Sequence, residues 1–300
     1  MSARIQYILI LAVLYPLALL PLRALYVLSD FLYVLIYYVV RYRRGIVRRN
    51  LEASFPDKSE TELRETERAF YRNFADYIVE TVKLLHISDA EIRRRVTFGN
   101  LGAIENITSS GRSVAVYFSH CFNWEWAPSV TLHMPREGRV EFGQVYRPLR
   151  NRAFDSLMLR VRGRFGSLSL PKATALRELI RLRREGFITV TGFMSDQKPS
   201  HGDPAVITEF LNHPTAFISG TETLARKLGM GAVFWDMHRT GRGYYRIETH
   251  LLAENVADTP QQAVTCAYAS LLEAGIRREP QLWLWTHNRW KNPVKLPTQA

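Results

Sequence analysis

Three hundred residues allow one large domain or two small ones, and an apolar content of 47% sets aside a disordered or fibrous chain. Lys and Arg number 40 against 28 Asp and Glu, a formal charge of +12, which favours an anionic partner: a phospholipid surface, a nucleic acid or an acidic carrier protein. The two cysteines, Cys121 and Cys266, exclude a disulfide framework and form no C-x-x-C pair, so a reducing compartment follows.

The chain opens with two apolar stretches, "IQYILILAVLYPLALLPL" (5–22) and "ALYVLSDFLYVLIYYVV" (24–40). A membrane helix needs about 20 mostly apolar residues. Each stretch is marginal alone, interrupted by Pro16, Pro21, Arg23 or Asp30. Neither a compact apolar core nor a small-residue cleavage site marks a signal peptide, and a buried pair of core helices is the alternative. Directly afterwards, "RYRRGIVRR" (41–49) carries five arginines. Arginines there mark the cytoplasmic side of a membrane and attract anionic head groups. Residues 1–45 are read as a membrane anchor, spanning or half-inserted, and 46–300 as one catalytic-sized domain.

"SETE" at 59–62 is a capping box that opens a helix. Within it Phe70, Phe74, Ile78 and Val82 recur every four residues as an apolar stripe. "SDAE" at 88–91 starts a second helix, and 113–118 is a short buried strand. Residues 174–184 are helical, with Gly186 as C-cap, and "FITVTGF" (187–193) is a strand running into "MSDQKP". A helix over 221–228 stops at Gly229; "AVFWDMHR" and "YYRIETHL" follow as strands joined by "TGRG". Residues 260–274 make a last helix, with Pro260 in its first turn. Alternating strands and helices indicate an α/β fold with a mixed central sheet flanked by helices.

The chemistry concentrates in "YFSHCFNWEWAP" (117–128). His120 lies just past the carboxyl end of a buried strand, where α/β sheets carry active residues. Asn123 is a good N-cap, which sets Glu125 in the first turn of the next helix, where the helix dipole favours an ionised carboxylate. Across that corner the two side chains can meet. Glu125 then fixes the imidazole tautomer while the other ring nitrogen takes a proton from an alcohol, general base catalysis typically worth 10²–10⁴-fold. A merely structural hydrogen-bonded pair is the bland alternative. Cys121 as a nucleophile is the weaker reading, since adjacent residues seldom orient as base and nucleophile; a small packing residue fits better.

"HCFNWE", "VYRPLRN" (145–151), "GFMSDQKP" (192–199), "GTETLARKLG" (220–229) and "LWTHNRWK" (284–291) come in that order. The set resembles the lysophospholipid acyltransferase superfamily, and within it the lipid A biosynthesis (late) acyltransferases of Gram-negative bacteria. The resemblance covers nearly the whole chain. It implies a glycerolipid-acyltransferase-like fold and transfer of a fatty acyl chain from acyl carrier protein to a hydroxyl of a lipid A precursor. His120 is then the base and Glu125 its orienting partner, with no metal, no cofactor and no covalent acyl-enzyme. Asn123, Arg147, Asp196 and Gln197 are the implied substrate-binding residues. Arg147 would hold an acceptor phosphate or developing charge, against a surface or ion-paired role; Asp196 and Gln197 could equally form a structural turn. Arg289 is more simply a salt bridge at the edge of the core. The implied partners are acyl carrier protein, a membrane lipid acceptor and the cytoplasmic face of the bacterial inner membrane.

Two departures bear on this. Phe122 stands where the family usually has glycine, which touches the local backbone and the shape of an acyl tunnel. Glutamate at 125 and the lack of a "PEGTR"-like block separate the chain from glycerolipid enzymes. An acyltransferase of the same fold acting on a glycerolipid, aminolipid or polyene pigment is the runner-up. A basic membrane-surface or nucleic-acid-binding protein is the non-enzymatic alternative, but the basic residues show no interleaved stacking platform, so no nucleic acid is expected.

Overall fold

The apolar N-terminus forms two helices, α1 (Ala3–Leu19) and α2 (Leu22–Val34), the second prolonged to Val39 by a π-helical turn. The computed structural model describes residues 2–134 and 139–296. After α3 (Arg44–Ser54), the long helix α4 (Glu60–Lys83) starts at the expected capping box: Ser59 accepts from the Glu62 amide and Glu62 reaches back to Ser59. Ser88 caps α5 (Asp89–Arg95) by accepting from the Glu91 amide at 3.1 Å. Then follow β1 (Val96–Gly99), α6 (Gly102–Ser109) and β2 (Val114–Phe118). A 3-10 helix, Trp124–Leu132, leads towards β3 (Val140–Tyr146), α7 (Arg152–Arg162) and β4 (Leu168–Pro171). The chain continues through α8 (Ala175–Arg184), β5 (Ile188–Met194) and the hairpin β6 (Ala205–Phe210) and β7 (His213–Ile218). It ends with α9 (Gly220–Leu228), β8 (Gly231–Gly241), β9 (Tyr244–Ala253) and α10 (Ala263–Arg278).

Seven strands make one mixed sheet in the order β1-β9-β8-β2-β5-β3-β4, and β6–β7 form a separate ribbon. All neighbours in the large sheet are parallel except β8 and β9, which the "TGRG" turn joins as expected. All five residues of β2 are buried, the continuous apolar run of a strand covered on both faces. From β2 the chain goes first to β3, β4 and β5 on one side and later to β8 and β9 on the other. The carboxyl end of β2 is therefore a topological switch point, the usual place for a ligand crevice.

Three expectations need correction. The last helix begins at Ala263, not at Pro260, and runs on to Arg278, because Gln262 takes a left-handed conformation just before it. On α4, Phe70 is buried but Phe74, Ile78 and Val82 are only half-buried. The buried face joins apolar Tyr71, Ala75 and Val79 to a polar stripe: Asn73, Asp76, Glu80 and Lys83 are all buried. The arginines at 41–49 are also largely engaged within the fold. Arg44 pairs with Glu67 at 3.2 Å, Arg48 with Glu52 at 2.6 Å, and Arg43 donates to the Thr286 carbonyl at 3.0 Å. Arg41 and Arg49 remain as exposed charges.

That polar stripe fastens the apolar helices to the rest of the molecule. Lys83 Nζ caps the end of α1 by donating to the carbonyls of Ala18 and Leu20, at 3.0 and 2.9 Å. Asp76 accepts from Ser29 of α2 at 2.7 Å, from Arg239 at 2.9 Å and from Arg242 at 2.7 Å. Arg242 also reaches Asp30 of α2 at 2.6 Å. Glu80 accepts from Tyr26 of α2 at 2.9 Å and from Tyr245 of β9 at 2.8 Å. The opposite faces of α1 and α2 carry exposed Val13, Val27, Phe31 and Val39. The Leu22–Val39 stretch has a mean hydropathy of 1.5, apolar and long enough to cross a membrane by length and composition.

Candidate active site

Parallel pairing assembles the site from two strand ends. β2 and β5 are in register with Phe118 opposite Met194, so two residues further on His120 and Asp196 stand side by side. His120 Nδ1 lies 2.7 Å from Asp196 Oδ1, and the His120 backbone N–H donates to Oδ2 at 3.0 Å. Trp283 Nε1 donates to the same oxygen at 2.9 Å. Burial would raise the Asp196 carboxyl, but the His120 ring and these donors outweigh it and hold it at about 2. An ionised Asp196 requires the Nδ1 proton, so Nε2 is the free lone pair. That nitrogen faces the amide of Gln197 at 3.2 Å.

The expected His120–Glu125 pairing is not the one formed. Glu125 accepts from Arg162 Nε at 2.9 Å and Nη2 at 2.6 Å, and from Trp124 Nε1 at 3.1 Å. The reason is local. Asn123 caps as expected, accepting from the Glu125 amide at 3.1 Å, but what it starts is a tight 3-10 helix. The Trp124 indole, edge-on to the His120 ring at 5.1 Å, stands by the imidazole, and its Nε1 is held by Glu125. Asp196 takes the orienting position instead.

Asn123 is also corrected as a substrate contact. It is fully buried, and its Nδ2 donates to Glu80 at 3.0 Å, so it ties the histidine loop to α4. Phe122 is 1% exposed and packs at 5.4 Å on Tyr77 and 5.4 Å on Trp124. It lies behind Trp124 and does not line the cavity, so it shapes the cavity only through that indole. Burial pushes the Cys121 thiol well up, and Ser119 donates to its sulfur at 3.3 Å, which keeps it a packed thiol.

A cavity of about 560 Å³ opens beside the dyad. Its inner wall is apolar, with Phe118, Val130, Phe142, Val190 and Trp235, while Arg147, Lys172 and Asp203 line it together with Gln197 and His120. Arg147 is exposed; Lys172 pairs with Asp203 at 2.7 Å. Arg289, expected in a salt bridge, instead clamps backbone: it donates to the carbonyls of Asp196 and Ala216 and lies 4.5 Å over the Phe217 ring. Burial draws its guanidinium down to about 10 despite the nearby Asp196 charge. The segment around it also braces the histidine loop, since Leu284 N–H donates to the His120 carbonyl at 3.1 Å.

Sequence reading missed Arg162 altogether, because helix α7 was not read. Its signal was present: Ala153, Leu157 and Val161 are buried at four-residue spacing, with Asn151 as N-cap.

Such a site, a carboxylate-held imidazole facing a deep apolar slot with basic groups nearby, suits proton abstraction from a hydroxyl beside a long apolar chain. The chain belongs to the bacterial lipid A biosynthesis acyltransferase family, whose model matches residues 2–292. It is 25% identical over 253 residues to the lipid A biosynthesis palmitoleoyltransferase of Escherichia coli K12, covering 83% of this chain and 79% of that protein. It is 26% identical over 263 residues to the lipid A biosynthesis lauroyltransferase of the same organism, covering 86% and 82%. A lipid A biosynthesis acyltransferase of Shigella flexneri matches at 25% over 253 residues, again 83% and 79%.

Proposed function

We propose that the protein transfers a fatty acyl chain from an acyl carrier protein thioester to a hydroxyl of a lipid A precursor, with His120 as general base. The observation that carries this reading is the 2.7 Å contact of His120 Nδ1 with buried, ionised Asp196, which turns Nε2 towards the cavity. The acceptor hydroxyl takes the place of the Gln197 amide at Nε2 and gives up its proton there. Its oxygen attacks the thioester carbon directly. The tetrahedral intermediate collapses, the C–S bond breaks, and the thiolate leaves with the proton from the imidazolium. Asp196 stays ionised throughout and stabilises the imidazolium while it exists.

The apolar slot suits the acyl chain, and exposed Arg147 suits a phosphate on the acceptor. The tethers of α1 and α2 to α4 favour a half-inserted anchor over a spanning one. With α1 held at its end by Lys83, and α2 held along one face by Asp76 and Glu80 while Phe31 is 70% and Val39 68% exposed on the other, the pair suits burial in one leaflet of the inner membrane. The net charge of +12 suits docking of an acidic carrier on the cytoplasmic side. Mass spectrometry of lipid A from cells with and without the gene tests the acceptor. Lipid A lacking one acyl chain in the deletion is expected; an unchanged acyl pattern would move the acceptor to another lipid.

A further inference from the structure

Glu80 is fully buried on α4, and among the described residues it has no ion-pair partner. A carboxylate so placed costs stability that an apolar side chain would not. Its partners are neutral donors from three separate elements. Tyr26 of α2 donates to Oε1 at 2.9 Å, while Tyr245 of β9 and Asn123 of the histidine loop donate to Oε2 at 2.8 and 3.0 Å. An apolar residue could hold none of them, and an amide would turn its own N–H groups on a donor; two carboxylate oxygens accept from all three. The Glu80 carbonyl accepts as well, from Trp126 Nε1 at 3.1 Å. One residue of α4 therefore fastens the histidine loop on both sides of Trp124, whose indole stands 5.1 Å from the His120 ring. Asn123 passes that hold on, because its Oδ1 accepts from the Glu125 amide at 3.1 Å and opens the 3-10 helix. Asp196 holds the ring of His120, the segment 282–284 holds its backbone, and Glu80 holds the turn that follows.

Building on the acyl-transfer reading above, we propose that Glu80 is a positioning residue for the reaction: its hold on Asn123 and Trp126 sets the Trp124 turn against the His120 ring, and its hold on Tyr26 ties that placement to the anchor helix α2. Glu80 does not line the cavity, so its effect on rate passes through Asn123 and the turn. A turn displaced by about 1 Å moves the indole relative to the base and the incoming hydroxyl, and a misplacement of that size can cost about 10²-fold in rate. The same carboxylate thus joins the helix whose outer face suits the bilayer to the loop that carries the base.

The test is steady-state kinetics of the full-length protein with acyl carrier protein thioester and lipid A precursor, each variant paired with thermal unfolding and assayed well below its unfolding temperature. Glu80→Gln is expected to lower kcat by about 10–100-fold, with KM for both substrates within about threefold. Asn123→Ala should do the same. The double variant should lose no more than the larger single loss, because the two residues act in series. Tyr26→Phe removes one hydroxyl and should lower kcat by about threefold to tenfold, the worth of one hydrogen bond, while binding to anionic vesicles is unchanged. A folded Glu80→Gln enzyme with wild-type kcat overturns the proposal, as do losses that multiply in the double variant or lie wholly in KM. If Glu80→Gln does not fold, Tyr26→Phe decides, and wild-type kcat in that variant overturns the proposal. A wild type that transfers no acyl group sinks the functional reading itself; one that transfers beside an unimpaired Glu80→Gln refutes this assignment alone.

Discussion

His120 was legible in the sequence because a buried run ends one residue before it, but its partner was not. The sequence points to Glu125, five residues on, across the strand–helix corner. Chain proximity lost to strand register: "YFSH" and "FMSD" end parallel neighbours, and Phe118 opposite Met194 brings His120 to Asp196. Both segments carry an aromatic residue and a serine before the polar side chain, a correspondence that sequence alone offered but did not rank. Asp196→Asn should lower kcat by about 10²–10⁴-fold with KM nearly unchanged, because the amide no longer fixes the Nδ1 proton. Steady-state kinetics read this directly. The same carboxylate has an acid signature. Its folded value of about 2 lies below the ordinary 3.8, so its stabilisation is present above about pH 4 and is lost as pH falls through about 2. Thermal unfolding from pH 5 to 2 should fall more steeply for wild type than for Asp196→Asn.

At the scale of elements, helix ends were read well wherever a side chain caps them, as at Ser59 and Ser88. Strands β1, β3, β4, β6 and β7 went unread because their burial is mixed and their apolar runs short. The inner face of α4 was misread for a physical reason. Periodicity scores apolar residues, and the positions that dock α2 and β9 are Asp76 and Glu80. Removing Asp76 as Ala leaves Arg239 and Arg242 facing each other without their shared carboxylate. Both arginines reach solvent in part, so a loss of about 2–3 kcal/mol is expected, measurable by urea unfolding. Glu80 has a different pH signature. Burial pushes its carboxyl up to about 7, against the hydrogen bonds from Asn123, Tyr245 and Tyr26 that pull it down. A raised carboxyl contributes stability below its ordinary 4.5 and loses it as pH rises through about 7. Wild-type stability should therefore decline between about pH 5 and 7, by at most about 1.4 kcal/mol per pH unit from this group. Glu80→Gln should flatten that decline.

For the whole molecule, the α/β architecture with a mixed sheet followed from alternating periodicities, and the apolar N-terminus was plain. How the N-terminus sits was not, since hydropathy cannot distinguish a helix that crosses a bilayer from one fastened along its polar face. The fastening residues, Ser29, Asp30, Tyr26 and the carbonyls of Ala18 and Leu20, are dispersed in an apolar background. If the exposed face enters one leaflet, Val27→Asp with Phe31→Asp should move the protein from anionic vesicles to the soluble fraction while its thermal unfolding is preserved. Wild-type protein should resist release by high salt alone. The central claim, that His120 held by Asp196 drives acyl transfer to a lipid A precursor, meets its most direct test in one assay. Purified wild-type and His120→Ala proteins, both verified as folded, are given acyl carrier protein thioester and a lipid A precursor, and the acylated product is followed with time. Transfer by the wild type and a loss of at least about 100-fold in the variant is the result predicted; transfer by His120→Ala at the wild-type rate contradicts it.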